Sequence, residues 1–217
     1  MIFLLNDKAY KESFGKAGLA LAQAVQKAQG KTKMKLGICP QVQQLALVKS
    51  KMKVPVYAQH VDMITPGSHT GYLSVDALKA EGMKGTLLNH SEHQIPLRQI
   101  RKTIGHLKAH KLEQVVCVPT LRMAKKVAKY KPTMVAYEPP ALIGGDISVT
   151  SSKPEVITKV VEAVKAISPK TKILVGAGVK TNEDVRVAKA LGAHGVLLAS
   201  GVVKAKDPYK KILEMVR

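Results

Sequence analysis

The sequence is poor in aromatic residues and cysteine, and each shortage excludes a class of protein. Of its 217 residues only 4% are aromatic and none is tryptophan. The chain therefore lacks the side chains that form stacking platforms for single-stranded nucleic acid. Its two cysteines, Cys39 and Cys117, allow at most one disulfide and have no neighbours at metal-ligand spacing, which favours a reducing cytoplasm.

Long apolar segments are also missing. No apolar run approaches the roughly 20 residues that a helix needs to span a bilayer, so we expect no membrane association. The short apolar run Ile2–Leu5 has no basic stretch before it and predicts a first strand rather than a signal peptide. With 46% hydrophobic residues, the chain suffices for one domain over residues 1–217.

Acidic residues are few. The chain has 15 Asp and Glu against 35 Lys and Arg, which gives a formal net charge of +20. Such a charge attracts anions, so it suits an anionic small-molecule substrate or sequence-independent contact with nucleic acid. Without aromatic platforms, we expect nucleic acid to bind only non-specifically.

Apolar segments of strand length alternate with amphipathic segments of helix length along the chain. The predicted strands are Ile2–Leu5, Lys35–Ile38, Val54–Ala58, Gly85–Leu88, Val115–Val118, Thr133–Tyr137, Lys172–Val175 and Gly195–Leu198. Several are apolar on both faces, which is typical of parallel strands covered on both sides. Eight strands, each followed by a helical segment, predict an α/β fold, the closed (β/α)8 barrel. The alternation alone leaves a doubly wound open sheet as the alternative.

Helix boundaries are marked in three of the intervening segments. Apolar residues at helical spacing predict a helix over Phe14–Gln29. The segment 152–155 resembles a capping box with an early proline. Another helix is predicted to begin at Thr181–Asp184 and to end at Gly192.

In such a barrel the active site lies at the carboxyl ends of the strands, so the polar residues there are the candidates. Asn6 and Lys8 follow the first strand, and a lysine there is a fixed positive charge for an anion. His90 and Glu92 follow the fourth strand, and a histidine there can donate to a carbonyl or move a proton. Taken singly, these residues also fit a polar turn and a structural histidine.

The sixth strand is followed by a carboxylate and a loop rich in proline and glycine. Glu138 emerges from an apolar strand, which should raise its pKa toward that of a general base. Prolines at one end of the loop and glycines at the other, with apolar residues between, suit a lid that excludes water. An ordinary surface loop has the same composition.

Small residues follow the last two strands, at Gly176-Ala177-Gly178 and Ala199-Ser200-Gly201. They let the backbone approach a phosphate, which N–H groups at the start of a helix can hold. Elsewhere, His106 and His110 lie four apart on a predicted helix, a spacing that can bind metal. No third ligand is evident, so the sequence predicts no metal site.

Taken together, these residues resemble the triosephosphate isomerase family, in its short archaeal-type form. The similar motifs are Asn6-x-Lys8, Pro66–Gly71, Asn89-His90-Ser91-Glu92, Tyr137–Pro140 with Ile143-Gly144, Gly176–Gly178 and Leu197–Gly201. They occur in the family's order, each with the expected strand or the loop after it, from Asn6 to about Lys206.

The resemblance implies a fold and a reaction. The fold is the TIM barrel, and the reaction interconverts glyceraldehyde 3-phosphate and dihydroxyacetone phosphate in glycolysis and gluconeogenesis. It implies that Glu138 moves the proton, that neutral His90 polarises the carbonyl, and that Lys8 with Asn6 holds the anionic substrate. Glu92 would lie near Lys8. No cofactor or metal is implied.

For the phosphate, the resemblance implies backbone contacts at Ile143, Gly144, Gly178, Ala199 and Ser200. Two departures from the family pattern affect this region and the fourth strand. The lid ends in Gly145-Asp146 where a threonine-glycine pair is expected, and an acid there would repel phosphate. His93-Gln94 replaces the usual basic continuation after Ser91-Glu92.

The resemblance also implies a homo-oligomer, because His69-Thr70 is similar to the family's subunit-contact loop. A tetramer is favoured and a dimer is possible. Two other functions remain as alternatives. One is another phosphate-binding barrel, such as a phosphoribosyl isomerase or an indole-glycerol-phosphate synthase. The other is a non-catalytic basic binding protein on a barrel scaffold.

Overall fold

Eight parallel strands form one sheet in the order β2-β1-β8-β7-β6-β5-β4-β3. The computed structural model describes residues 1–139, 148–152 and 154–217. The strands are β1 (Ile2–Asn6), β2 (Lys35–Cys39), β3 (Tyr57–Ala58), β4 (Gly85–Leu88), β5 (Glu113–Val118), β6 (Met134–Tyr137), β7 (Lys172–Val175) and β8 (Gly195–Leu198).

The two ends of this strand order also meet. A parallel bridge joins Ile38 to Val56, and the Ile38 N–H donates to the Pro55 carbonyl at 3.1 Å. This contact brings β2 and β3 together and closes the sheet. The predicted (β/α)8 barrel is therefore confirmed, and the doubly wound open sheet is excluded.

Helices cover the outside of the barrel. In the described ranges they are α1 (Gly15–Gln29), α2 (Leu45–Lys51), α3 (Val75–Ala80), α4 (Leu97–Ala109), α5 (Leu121–Ala128), α6 (Val149–Ser152), α7 (Pro154–Ile167), α8 (Asn182–Ala190), α9 (Ser200–Val203) and α10 (Pro208–Met215). Short 3-10 turns lie at Lys11–Ser13 and Val42–Gln44. Among the described helices, none has both the length and the apolar content needed to cross a bilayer.

Most predicted boundaries lie within one or two residues of the observed ones, and β3 is the exception. A strand over Val54–Ala58 was expected, but regular pairing covers only Tyr57–Ala58. Pro55 has no N–H to donate, so the chain before Val56 cannot form a complete ladder. This part of the predicted strand is wrong for a local chemical reason.

The predicted helix ends are largely present. Thr181 and Asp184 form the capping box of α8, and Gly192 takes a left-handed φ of 86° just beyond its end. Helix α1 begins at Gly15, one residue later than expected. Lys153 of the capping box expected at 152–155 lies outside the described residues, and Pro154 begins α7.

Two apolar cores hold the barrel together. The inner core fills the barrel with inward-facing side chains, among them Leu4, Leu87, Val115, Leu174 and Leu197. The larger outer core lies between the strands and the helices. Because each strand contributes side chains to both cores, its apolar residues are continuous rather than alternating.

Glycines allow neighbouring strands to approach at the amino-terminal end of the barrel. A Cβ at Gly195 would lie 2.3 Å from the Ile2 carbonyl oxygen, and a Cβ at Gly85 would lie 2.1 Å from that of Glu113. In both cases the contact is with backbone of the neighbouring strand, which cannot move without disturbing the ladder.

We therefore expect Gly195→Ala to lower the free energy of unfolding by about 1–3 kcal/mol, because β1 and β8 must separate. Urea denaturation monitored by circular dichroism measures this. The matched control is Gly105→Ala on α4, where a Cβ meets nothing within 4 Å. That change should stabilise the chain by about 0.5–1 kcal/mol. Equal effects of the two substitutions would contradict the packing argument.

Candidate active site

The polar residues at the strand ends meet at the carboxyl-terminal mouth of the barrel. Asn6 ends β1, His90 lies two residues beyond β4, and Glu138 directly follows β6. Nε2 of His90 is 3.6 Å from Oε2 of Glu138, and Lys8 Nζ is 2.6 Å from Glu92 Oε1. The structure thus brings together five residues from three segments that are distant in sequence.

Lys8 lies in a turn beyond the end of β1, and this turn places its side chain at the mouth of the barrel. Strand β1 ends at Asn6, and Lys8 has a left-handed φ of 49°. The Lys8 N–H donates to Asn6 Oδ1 at 3.0 Å, and the Gln59 amide donates to the Lys8 carbonyl at 3.2 Å. These bonds hold a conformation that is unfavourable for a lysine. Lys8 and Asn6 line one cavity, although β1 ends at Asn6.

The backbone holds the His90 ring in one tautomer. The Glu92 N–H donates to His90 Nδ1 at 3.2 Å, so Nδ1 accepts and the proton of the neutral ring lies on Nε2. Burial and the charge of Lys8 lower the pKa of His90, which favours this neutral form. Glu92 Oε2 lies 3.5 Å from Nδ1 and acts in the opposite direction, but this carboxylate is half exposed. The Nε2–H is therefore available to donate to a substrate oxygen.

The turn that carries His90 is anchored by its neighbour. Asn89 has a left-handed φ of 58°, and its side-chain amide donates to the Cys117 carbonyl at 2.9 Å. Its side-chain oxygen accepts from the Ile95 N–H at 3.1 Å. Both ends of the Asn89 side chain are thus used to fix the loop that presents His90.

Glu138 is buried, and burial raises its pKa to about 7. Hydrogen bonding to the Cys117 thiol and the charge of Lys8 lower the pKa but do not offset burial. Within the described part of the chain, neither Glu138 Oε2 nor His90 Nε2 has a hydrogen-bond partner. A carboxylate with a pKa near neutrality can accept a proton and return it.

Gly176 makes room for this carboxylate, and the Cys117 thiol hydrogen-bonds to it. A Cβ at Gly176 would lie 2.8 Å from Glu138 Oε1, so a larger residue would displace the carboxylate. Cys117 was predicted only as a strand residue, and its contact with Glu138 was missed. The signal was available, because Cys117 lies two residues after inward-facing Val115 near the end of β5.

A small cavity of about 30 Å³ adjoins Glu138 on the side of the last two strands. Gly178, Ala199 and Ser200 all line it, as do Asn6 and Lys8. Ala177 and Gly178 have left-handed φ values of 41° and 71°. Successive residues in such turns leave N–H groups available to an anion. Ile143 and Gly144, expected to complete the phosphate contacts, lie outside the described residues, as does Asp146.

A larger cavity of about 630 Å³ opens beside Lys8, His90 and Glu92. Its other wall includes Thr70 and Tyr72 of the segment between β3 and α3. Tyr72 is 60% exposed.

The whole chain is similar to one protein family. The family model described as triosephosphate isomerase matches residues 1–216. A protein named triosephosphate isomerase from Methanocaldococcus jannaschii is 44% identical over 217 residues, covering 100% of this chain and 99% of that protein. Proteins of the same name from Methanobrevibacter smithii and Methanothermus fervidus are each 41% identical over 215 residues, covering 99% of this chain and 97% of theirs. The family resemblance inferred from the motifs is confirmed.

The Cys117 contact predicts a shift in pH dependence. We expect Cys117→Ala to raise the pKa of Glu138, because the thiol no longer donates to the carboxylate. The acidic limb of the profile of kcat/KM against pH should then move to higher pH. The matched control is Cys117→Ser, whose hydroxyl retains a donor and should leave the limb near its original position. Because substrate ionisation is the same for all three proteins, identical profiles would contradict the contact.

Proposed function

The chain belongs to the triosephosphate isomerase family, and we propose that Glu138, His90 and Lys8 carry out the reaction of that family at the barrel mouth. It is an isomerase that interconverts glyceraldehyde 3-phosphate and dihydroxyacetone phosphate. One observation supports the assignment of residues above all others. Buried Glu138 Oε2 and His90 Nε2 lie 3.6 Å apart, a base and a proton donor that can reach neighbouring atoms of one substrate.

In this proposal Glu138 removes a proton from the carbon next to the substrate carbonyl. The electron pair of that C–H bond forms a C=C bond, and the carbonyl oxygen becomes negatively charged. The Nε2–H of His90 donates to this oxygen and stabilises the enediolate. His90 Nε2 gives its proton to this oxygen and takes the proton of the neighbouring hydroxyl, while Glu138 returns the carbon proton to the neighbouring carbon, which completes the exchange of aldehyde and ketone. Its pKa near 7 suits both directions.

We assign to Lys8 the stabilisation of negative charge on the substrate. Its side chain is only 10% exposed, so its field is weakly screened by solvent. Asn6 supports it by accepting the Lys8 N–H, and Glu92 pairs with its ammonium group at 2.6 Å. The Lys8 ammonium is thus held in position before the substrate binds.

We propose that the substrate phosphate occupies the small cavity lined by Gly178, Ala199 and Ser200. Left-handed turns and nearby Lys8 make this cavity suitable for an anion. The contacts of Ile143 and Gly144 with phosphate stay a prediction from the family motif. The repulsive effect of Asp146 on the phosphate likewise stays a prediction.

The test is a coupled assay of dihydroxyacetone phosphate formation from glyceraldehyde 3-phosphate. We expect Glu138→Ala to lower kcat/KM by roughly 10²–10⁴-fold, because the proton acceptor is lost. The control is Glu214→Ala, which removes an exposed carboxylate from α10. Circular dichroism of both variants should match that of the original chain. Retention of activity in a folded Glu138→Ala protein would remove Glu138 from the mechanism.

We further propose that the enzyme works as a homo-oligomer, with a tetramer as its form. The segment holding Thr70 and Tyr72 is exposed, and it faces the 630 Å³ cavity beside the catalytic residues. The same segment of a second copy is the occupant that we propose for this cavity. We place the enzyme in the cytoplasm, which suits glycolysis and the free, buried thiols of Cys39 and Cys117.

Thr70→Arg tests the oligomer. A charged side chain at the proposed contact should dissociate the subunits, so sedimentation should give the 23.4 kDa mass of one chain. Ser50→Arg, an equally large change on exposed α2, should leave the assembly intact. If the unmodified chain is already a monomer, or if both variants keep the original mass, the proposed interface is wrong.

A further inference from the structure

Three side chains of types that can ligate a metal ion meet on the outer surface of the barrel, away from the active site. His106 lies on α4, His110 caps its end, and Asp76 lies in the first turn of α3. Nε2 of His106 is 3.4 Å from Asp76 Oδ2, and Nε2 of His110 is 3.1 Å from Asp76 Oδ1. The three ligand atoms lie within 4.8 Å of one another.

We propose that Asp76, His106 and His110 form a binding site for a divalent zinc ion. Two imidazoles and a carboxylate are a ligand set that zinc takes in proteins, with a fourth position left for water. Bonds of about 2.0–2.2 Å in a tetrahedral site place neighbouring ligand atoms about 3.4 Å apart. The two nitrogen–oxygen distances, 3.4 and 3.1 Å, run to different oxygens of Asp76, and with one ligand atom from each residue all three lie within 4.8 Å of one another, so small side-chain rotations bring them to this value.

The hydrogen bonding of His110 supports a cation at this position. Its Nδ1 lies 3.0 Å from the backbone carbonyl of His106, which can only accept. Nδ1 therefore carries a proton, and in the neutral ring Nε2 presents its lone pair to Asp76. Two acceptors 3.1 Å apart repel each other unless a positive charge lies between or beside them. Zinc-bound histidines use their second nitrogen in this way, donating to a backbone carbonyl.

The fold fixes these ligands before any ion arrives. A spacing of four places His106 and His110 on one face at the end of α4, and their rings lie 4.6 Å apart. Ser74 caps α3 by accepting the Ala77 N–H, while Val75 and Leu78 anchor that helix in the core. Asp76 therefore points outward, toward α4. All three side chains are partly buried but accessible, at 19–33% exposure.

A metal ion here would join α3 to α4. Helix α3 has only six residues, too few to be stable without tertiary contacts. It directly follows the segment that carries Thr70 and Tyr72. Zinc binding should therefore raise the unfolding temperature and leave the isomerase activity unchanged, since none of its ligands lines the catalytic cavities.

The experiment is zinc titration by calorimetry on the full chain, free of affinity tags and stripped with chelator. We expect one ion per chain, and His110→Gln should weaken binding by about ten-fold or more. His194→Gln is the matched control, because that histidine accepts the Ile173 N–H at a distant site. His60→Gln disrupts a second histidine pair, the stacked rings of His60 and His93, and should also leave binding intact.

Cobalt substitution and thermal unfolding give independent readouts. Cobalt should give tetrahedral absorption bands with the original chain and not with His110→Gln or Asp76→Asn. Zinc should raise the unfolding temperature of the original chain but not of these variants, and unchanged kcat in both shows that they are folded. The proposal is overturned if the original chain binds no zinc, if Asp76→Asn and His110→Gln bind it equally well, or if binding is lost with His60→Gln. The first result would assign a proton, rather than a metal, to the space between Asp76 and the imidazoles.

Discussion

Burial of the Glu138 carboxylate is the constraint on which the rest of the active site depends. Its pKa is about 7 in the folded chain against 4.5 for an ordinary glutamate, because desolvation outweighs the favourable contacts. The folded state thus holds the proton more tightly than the unfolded state does. The stability contributed by this group is fully present below about pH 4.5 and is lost as the pH rises through about 7. A difference of this size corresponds to about 3 kcal/mol at high pH, a cost that the barrel cores must offset.

The surroundings of Glu138 limit that cost without removing it. Gly176 leaves space for the carboxylate, Cys117 donates a weak hydrogen bond, and Lys8 supplies a positive charge. A stronger arrangement, such as a direct ion pair, would lower the pKa and leave a poor base at neutral pH. Lys8 instead pairs with Glu92 at 2.6 Å, so its charge acts on Glu138 only from a distance. The site therefore keeps a base whose pKa matches neutral conditions.

Much of the fold and of the site could be predicted from the sequence, because both depend on local pattern. Short strands covered on both faces leave continuous apolar runs, and the polar residue after each run lies at the barrel mouth. The features that were not predicted depend on contacts that the spacing of apolar and polar residues does not reveal. Lys8 turns to the cavity because Asn6 accepts its N–H, and β3 is short because Pro55 cannot donate. Asp76 is 30 residues from His106 on a different helix, so helical spacing could not reveal it.

The two histidine sites show how one backbone contact decides what an imidazole can do. At His90 a backbone N–H occupies Nδ1, which places the ring proton on Nε2 and gives that atom the ability to donate to an oxyanion. At His110 a backbone carbonyl occupies Nδ1, which leaves a lone pair on Nε2 and makes that atom a ligand for a cation. Both rings belong to the β4–α4 unit of the barrel, yet the first is suited to proton chemistry and the second to metal binding. The difference arises from whether the nearest free backbone group is an N–H beyond a strand or a C=O at the end of a helix.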